Sequence, residues 1–173
     1  KAVDAEPADS TSWYNLGVAR YLLGLKAEAV LAWQKTSELM PDDIRVTSLL
    51  AWTVLDLGQV EVAAAVATQA LMRQPQDARA WHLFGVAADR AGRTEQALQG
   101  FHQARHFAPS WAQPRYDLGM LFVRLGRASE VRHLIGELEP LDKKLSARLA
   151  EALTAMEAAT PTVPAEASPQ DAR

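Results

Sequence analysis

The side chains best suited to chemistry in this sequence are its histidines, and only His102 and His106 stand four apart, the spacing that sets two imidazoles on one helix face. Two nitrogen ligands do not complete a metal site. The residues between them, Gln103, Ala104 and Arg105, include no glutamate of the kind a zinc hydrolase uses as its base, so the pair reads as solvated surface. The sequence has no cysteine, which excludes disulfide frameworks, thiolate zinc sites and a cysteine nucleophile together. Ser10, Thr11, Ser12 and Thr94 fall at expected helix starts, where a hydroxyl caps free backbone amides. The glycines are spaced singly and form no phosphate-cradling run. The expectation is a non-enzyme with neither cofactor nor metal.

Composition narrows the remaining classes. The chain has 173 residues, 49% of them hydrophobic and 23% charged, with 18 Lys+Arg against 21 Asp+Glu. That describes one ordinary soluble domain, large enough to bury roughly two thirds of the surface of its unfolded chain. A net charge of -3 offers no broad electropositive field for a phosphate backbone, so nucleic acid is not the expected partner. The longest strictly apolar run, from Val62 to Ala67, is far below the roughly 18 residues of a bilayer crossing, and direct membrane insertion of this segment is not expected. The first residue is Lys1 and no basic and apolar leader follows it, which reads as a mature form or a fragment. The compartment stays open between cytoplasm and periplasm.

Helical elements must position whatever surface remains, and their register is explicit. Pro7, Pro41, Pro75 and Pro109 recur at 34-residue intervals, as do Gly24, Gly58, Gly92 and Gly126. Between these marks Leu16, Leu50, Phe84 and Leu118 correspond, each followed by a small residue (Gly17, Ala51, Gly85, Gly119), and then Ala29, Ala63, Ala97 and Val131. Within a copy the apolar residues keep helical spacing, as in Trp81, Phe84, Gly85, Ala88 and again Ala97, Leu98, Phe101, Ala104. The glycines are placed to end one helix and reverse into the next. The prolines close the unit, with Asp43, Asp77 and Ser110 expected to cap the following helix.

These residues resemble the tetratricopeptide repeat family. Trp13, Leu16, Gly17, Ala29, Trp33 and Pro41 carry the pattern in the first copy, and Leu50, Ala51, Ala63 and Pro75 in the second. Trp81, Phe84, Gly85, Ala97, Phe101 and Pro109 carry it in the third, and Leu118, Gly119, Phe122 and Val131 in the fourth. The resemblance covers about residues 8–140 and implies an all-α, right-handed superhelical solenoid of four helix-turn-helix repeats, at 10–43, 44–77, 78–111 and 112–140. Residues 1–9 form a lead-in. Arg20 stands where the family prefers Tyr, Arg115 where it prefers Trp, and the closing Pro140 arrives three residues early. Residues 141–159 then form an amphipathic helix with Leu145, Leu149, Leu153 and Met156 on one face. A fifth repeat is expected to need a small residue where Leu149 stands, so this helix reads as a cap, with partner binding as its rival role. Residues 160–173, rich in Pro, Ala, Ser and Glu, read as a flexible tail.

The resemblance further implies that the first helix of each repeat lines a concave groove. Its inward positions read Thr11, Tyr14, Asn15, Val18, Tyr21 and Leu22 in the first copy, then Arg45, Ser48, Leu49, Trp52, Leu55 and Asp56. The third copy gives Arg79, His82, Leu83, Val86, Asp89 and Arg90, and the fourth Gln113, Tyr116, Asp117, Met120, Val123 and Arg124. Trp, Tyr, Met and Arg dominate binding energetics once desolvated, so an apolar ligand surface is implied, with arginines to meet acidic groups unless Asp56, Asp89 and Asp117 already hold them. Trp52 is the sharpest case, since Trp13, Trp33 and Trp81 fall on core positions. Packing between repeats is the alternative for Tyr14, Leu49, Val86 and Met120, and Trp111 reads either as an exposed anchor or as an inter-repeat contact. Family members that grip acidic chaperone tails use Lys and Asn where this chain has Tyr14 and Val18, so that ligand is disfavoured. The expected partner is a protein or peptide with apolar anchors and some acidic character, with self-association possible. The expected role is a non-catalytic adaptor that helps assemble a multiprotein complex. The alternatives are an assembly factor or chaperone for a bacterial pilus, secretion or cytochrome-maturation system, and the regulatory arm of a longer enzyme.

Overall fold

A computed structural model describes residues 9–159. The expected tail over 160–173 lies outside the described residues, as does the lead-in apart from Asp9. Within them run nine helices: α1 (Ser10–Leu22), α2 (Lys26–Leu39), α3 (Ile44–Asp56), α4 (Val60–Arg73), α5 (Ala78–Arg90), α6 (Thr94–Phe107), α7 (Gln113–Arg124), α8 (Ala128–Leu138) and α9 (Lys143–Ala159). Each of the four helix pairs reverses at a glycine with φ between 70° and 78°, a conformation that costs a side-chain-bearing residue but not Gly24, Gly58, Gly92 or Gly126. The next residue closes the helix: the N–H groups of Leu25, Gln59, Arg93 and Arg127 each donate at 2.9 Å to a carbonyl five residues back.

At the other boundary, Met40, Gln74 and Ala108 take φ of -133°, -131° and -132°, off the helix, ahead of Pro41, Pro75 and Pro109. Asp9, Asp43 and Asp77 then cap α1, α3 and α5 by accepting from the first free amides. The hydroxyl caps expected from sequence are corrected here. Ser10, Thr11 and Ser12 lie inside α1 beneath Asp9, and Thr94 begins α6 with no side-chain bond from the capping residue, Arg93. Ser110 does not cap α7, which starts after Ala112 with Pro114 in its first turn, where a missing N–H leaves no bond unmade.

Spacing within a pair is set by the small residue of its first helix. A Cβ on Gly17 would run into the Trp33 indole, and one on Gly85 would sit 2.8 Å from Phe101 Cδ1, so each large ring lies directly on opposing backbone. In the third pair Gly100 adds a backbone-to-backbone approach, its would-be Cβ only 2.5 Å from Gly85 Cα. Ala29, Trp33, Val46, Val54, Ala63, Ala97, Phe101, Leu118 and Val131 are buried along the stack as its core. On the outer side Glu137 of α8 accepts from Arg105 at 3.0 Å and Arg115 at 2.9 Å, joining three helices. Burial raises the Glu137 pKa, but the hydrogen bond from Arg115 and the charges of Arg105, Arg115 and His133 outweigh it, holding the carboxyl below its usual range.

Helix α9 has the register of another first helix. Helix α8 has 11 residues where α2, α4 and α6 have 14, which accounts for the early Pro140. Subtracting those three residues from the 34-residue spacing aligns Leu149, Ala150 and Leu153 with Leu118, Gly119 and Phe122. The fifth-repeat objection raised by Leu149 is thereby corrected, because Ala150 holds the small position. Asp142 accepts from Lys144 N at 2.9 Å and Leu145 N at 3.1 Å, as the other aspartate caps do. The buried Leu149 and Leu153 pack against α7 and α8, and Leu149 lies on Gly119.

Two glycines separate close approach from mere helix occupancy. Gly100→Ala is expected to destabilise the fold by about 1–3 kcal/mol, because its methyl meets backbone that cannot yield. Gly136→Ala, in α8 with nothing near its would-be Cβ, is expected to stabilise by roughly 0.5–1 kcal/mol. Urea unfolding of both variants checks the contrast, and equal shifts would refute it.

Candidate functional site

The two layers of the stack are unequally spaced. Helix α3 meets α5, α5 meets α7 and α7 meets α9, whereas successive second helices make no comparable contact among the described residues. The more closely spaced layer is the inside of the curve, and it carries the residues assigned to the groove. Tyr14, Val18, Leu49, Val86, Tyr116 and Met120 are half-buried there, while Asn15, Arg45, Trp52, Arg79, Arg90 and Arg124 are exposed. Trp52 retains 36% of its surface in solvent although indole normally seeks cover. Tyr14, Val18, Leu49 and Val86 each also pack on buried neighbours, so groove and inter-repeat contact coexist at those positions.

His82 departs from its expected place. It is 3% exposed, its Nε2–H donating to Asp117 Oδ2 at 2.6 Å, and its ring is enclosed by Trp111 at 4.8 Å, Trp52 at 5.8 Å and Phe101 at 6.0 Å. A group so enclosed lies behind the inner surface and not on it. Trp111, left open by sequence, packs edge-on to His82 of its own repeat, and its carbonyl accepts from Arg115 of the next. Gln113 Nε2 holds the second Asp117 oxygen at 3.0 Å.

The His82–Asp117 bond belongs to a regular series. Each repeat reaches the next through residues 35 apart, joining the fifth helix position of one repeat to the sixth of its neighbour, or the twelfth to the thirteenth. Tyr21 meets Asp56 at 3.4 Å, Arg90 donates to Leu55 O at 2.9 Å, and Arg124 pairs with Asp89. Where the sixth position is Leu83, no rung can form, and Ser48 Oγ is buried without a hydrogen-bond partner. Cations expected for a ligand are occupied within the protein: Arg124 is held by Asp89 in a rung, and Arg45 by its own capping residue through Nε–Oδ1 at 3.1 Å and Nη2–Oδ2 at 2.7 Å. That guanidinium keeps the Asp43 carboxyl below the usual carboxylate range.

A cavity of about 290 Å³ opens between the first two repeats, and Thr11, Tyr14, Asn15 and Arg45 line it as four of the expected groove residues. Ser10 and Asp43 also line it, as do Thr36, Met40 and Val46, which were not singled out from sequence. Arg148 was missed as well. In the shifted register of α9 it takes the sixth position, and its guanidinium lies over the Tyr116 ring at 5.0 Å. The signal was available in Asp142 followed by Leu149 and Ala150, hidden by the three-residue deletion. On the outer face, His102 lines a separate cleft with Arg105, Phe122 and Arg127. Burial, with Arg105 and Arg127 nearby, lowers its pKa. His106 packs edge-on to Phe107. Among the described residues no helix is long and apolar enough to cross a membrane.

Paired helices stacked with one face inward define a helical-repeat solenoid. The tetratricopeptide repeat model matches residues 1–42 and 48–112, more than half of the chain, and the chain belongs to that family of protein-interaction repeats. It is 31% identical over 74 residues to the peroxisomal targeting signal receptor of Candida glabrata and 32% identical over 57 residues to that of Saccharomyces cerevisiae. Those matches span 42% and 33% of this chain but only 12% and 9% of the receptors. Among solved structures, the thermophilic TPR protein TTC0263 of Thermus thermophilus superposes with a TM-score of 0.73 at 22% identity, covering 86% of this chain and 83% of that one. YrrB, described as a TPR protein with an unusual peptide-binding site, gives 0.69 at 17% identity over 87% and 78%. A MamA fragment from Desulfovibrio magneticus RS-1 gives 0.64 at 22% identity over 92% and 82%. These likenesses establish the fold as an all-α solenoid.

Asp117→Ala should leave His82 buried without its partner and cost about 1–3 kcal/mol, with Trp52 emission shifting to the red as its backing loosens. Thermal unfolding and fluorescence check this. Unchanged stability would contradict the structural role given to the rung.

Proposed function

We propose that this domain is a non-catalytic adaptor whose inner layer, α1, α3, α5 and α7, holds an extended peptide or a helix of a partner protein and so helps to assemble a multiprotein complex. The observation that carries the reading is Trp52, a large aromatic left 36% exposed in the middle of the inner face. An exposed indole beside half-buried Leu49 and Val86 gives a partner's apolar side chain a surface to desolvate, the arrangement from which binding hot spots are made. The peptide-binding site named for YrrB and the receptor role named for the two yeast proteins are consistent with such a use of the groove. Partners recovered by cross-linking from the native organism are to be titrated against Trp52→Ala and Tyr116→Ala at unchanged helicity. Trp52→Ala is expected to weaken binding at least about tenfold. Unaltered affinity in both variants would refute the groove assignment.

A second reading, a chaperone or assembly factor that holds an unfolded client transiently, draws on the apolar rim at the first turn. Leu22 and Leu23 are 79% and 74% exposed beside the groove. Weak binding to many unrelated peptides, in place of tight binding to one, would favour it.

A further inference from the structure

The inner face is electrically uneven along its length. In the first two repeats its charges are closed locally, Arg45 on Asp43 and Asp56 on Lys26 at 3.1 Å, and the remaining surface is uncharged: Tyr14, Val18, Leu49 and Trp52, with Thr11 and Asn15 at its start. Beyond Trp52 the acids Asp89 and Asp117 are engaged by Arg124 and His82. Three guanidinium groups there have no carboxylate partner among the described residues. The Arg79 side chain makes no ion pair, Arg90 gives one N–H to a backbone carbonyl, and Arg148 rests on the Tyr116 ring. On α9 the aligned second position is Lys144, with Glu151 the one acid at an inward position of that register.

Placed over an aromatic ring and without a carboxylate of its own, a guanidinium retains N–H groups for the two parallel bonds a carboxylate accepts. We infer that α9 is part of the binding surface, and that the groove takes its partner segment in one sense: apolar side chains against Trp52 on repeats one and two, Asp or Glu carboxylates against Arg79, Arg90 and Arg148 beyond it. This rests on the adaptor reading, and it assigns the terminal helix a specificity-determining contact, Arg148, in addition to its cover of Leu118 and Phe122. Positive charge without a partner at one end of the groove and uncharged aromatic surface at the other favour an amphipathic polypeptide over a uniformly acidic one.

The full chain is to be screened with a displayed library of random dodecapeptides, and the strongest binder synthesised with its acids intact and with each changed to the amide. Binders are expected to gather apolar residues at one end and at least two acids at the other. Arg148→Gln should weaken the acidic peptide about fivefold and flatten its salt dependence, leave the amide version unchanged, and be only partly rescued by Arg148→Lys, which restores the charge but not the fork. Trp52→Ala should weaken both peptides. Binders without acids, or an equal effect of Arg148→Gln on both versions, would overturn the charge assignment while leaving the groove in place. Enrichment no different from that on Trp52→Ala would remove the groove reading as well.

Discussion

How closely the two helices of a repeat approach decides the shape of everything built on them. Where Gly17 faces Trp33 and Gly85 faces Phe101, a ring lies on bare backbone, and the pair is pinned at a distance that side chains on both surfaces would not allow. Successive first helices from α3 onward, α3, α5, α7 and α9, touch in sequence while the outer helices splay. Curvature follows from that difference, and with it an inner face narrow enough for one polypeptide segment. The fourth pair departs from this arrangement. Leu134 stands where the third pair has Gly100, and it is Leu149 of α9 that lies on Gly119.

Polar groups on the inner layer are mostly committed to stacking order. The rungs 35 residues apart tie Tyr21 to Asp56, Asp89 to Arg124 and His82 to Asp117, each one a cross-repeat bond that a slipped register would lose. This accounts for charged side chains on a face otherwise suited to apolar contact: they specify how repeats meet, and the guanidinium groups that lack a carboxylate partner, Arg79, Arg90 and Arg148, are the ones we assign to a ligand. His82 shows the principle most clearly, enclosed by Trp52, Phe101 and Trp111 and satisfied by one carboxylate.

Much of this architecture was legible in the sequence, because turns and caps are written locally. A glycine at every positive-φ turn, an aspartate before α3 and α5, and a small residue opposite a large ring each follow from one residue's own conformational or steric needs. Ser110 misled because its repeat begins later, with Pro114 taking over the first turn of α7. The register of α9 was obscured by the shortening of α8, which breaks a fixed-interval comparison without breaking the fold. Partners 35 apart were invisible for a different reason: the side of a first helix that faces the next repeat is not the side that faces the previous one, a tertiary relation that no local pattern encodes. The burial of His82 and the contact of Arg148 with Tyr116 both depend on that offset.

The inner face as a surface left open for another polypeptide is the claim on which the functional account stands. Nuclear magnetic resonance separates the indole N–H signals of the five tryptophans, of which Trp33 is sealed in the core and Trp52 is open on the inner layer. On addition of a bound partner segment, the Trp52 signal should move with backbone amides of α1, α3, α5 and α7, while Trp33 and the outer faces of α2, α4 and α6 stay fixed. Shifts confined to those outer helices, with Trp52 unmoved, would contradict it.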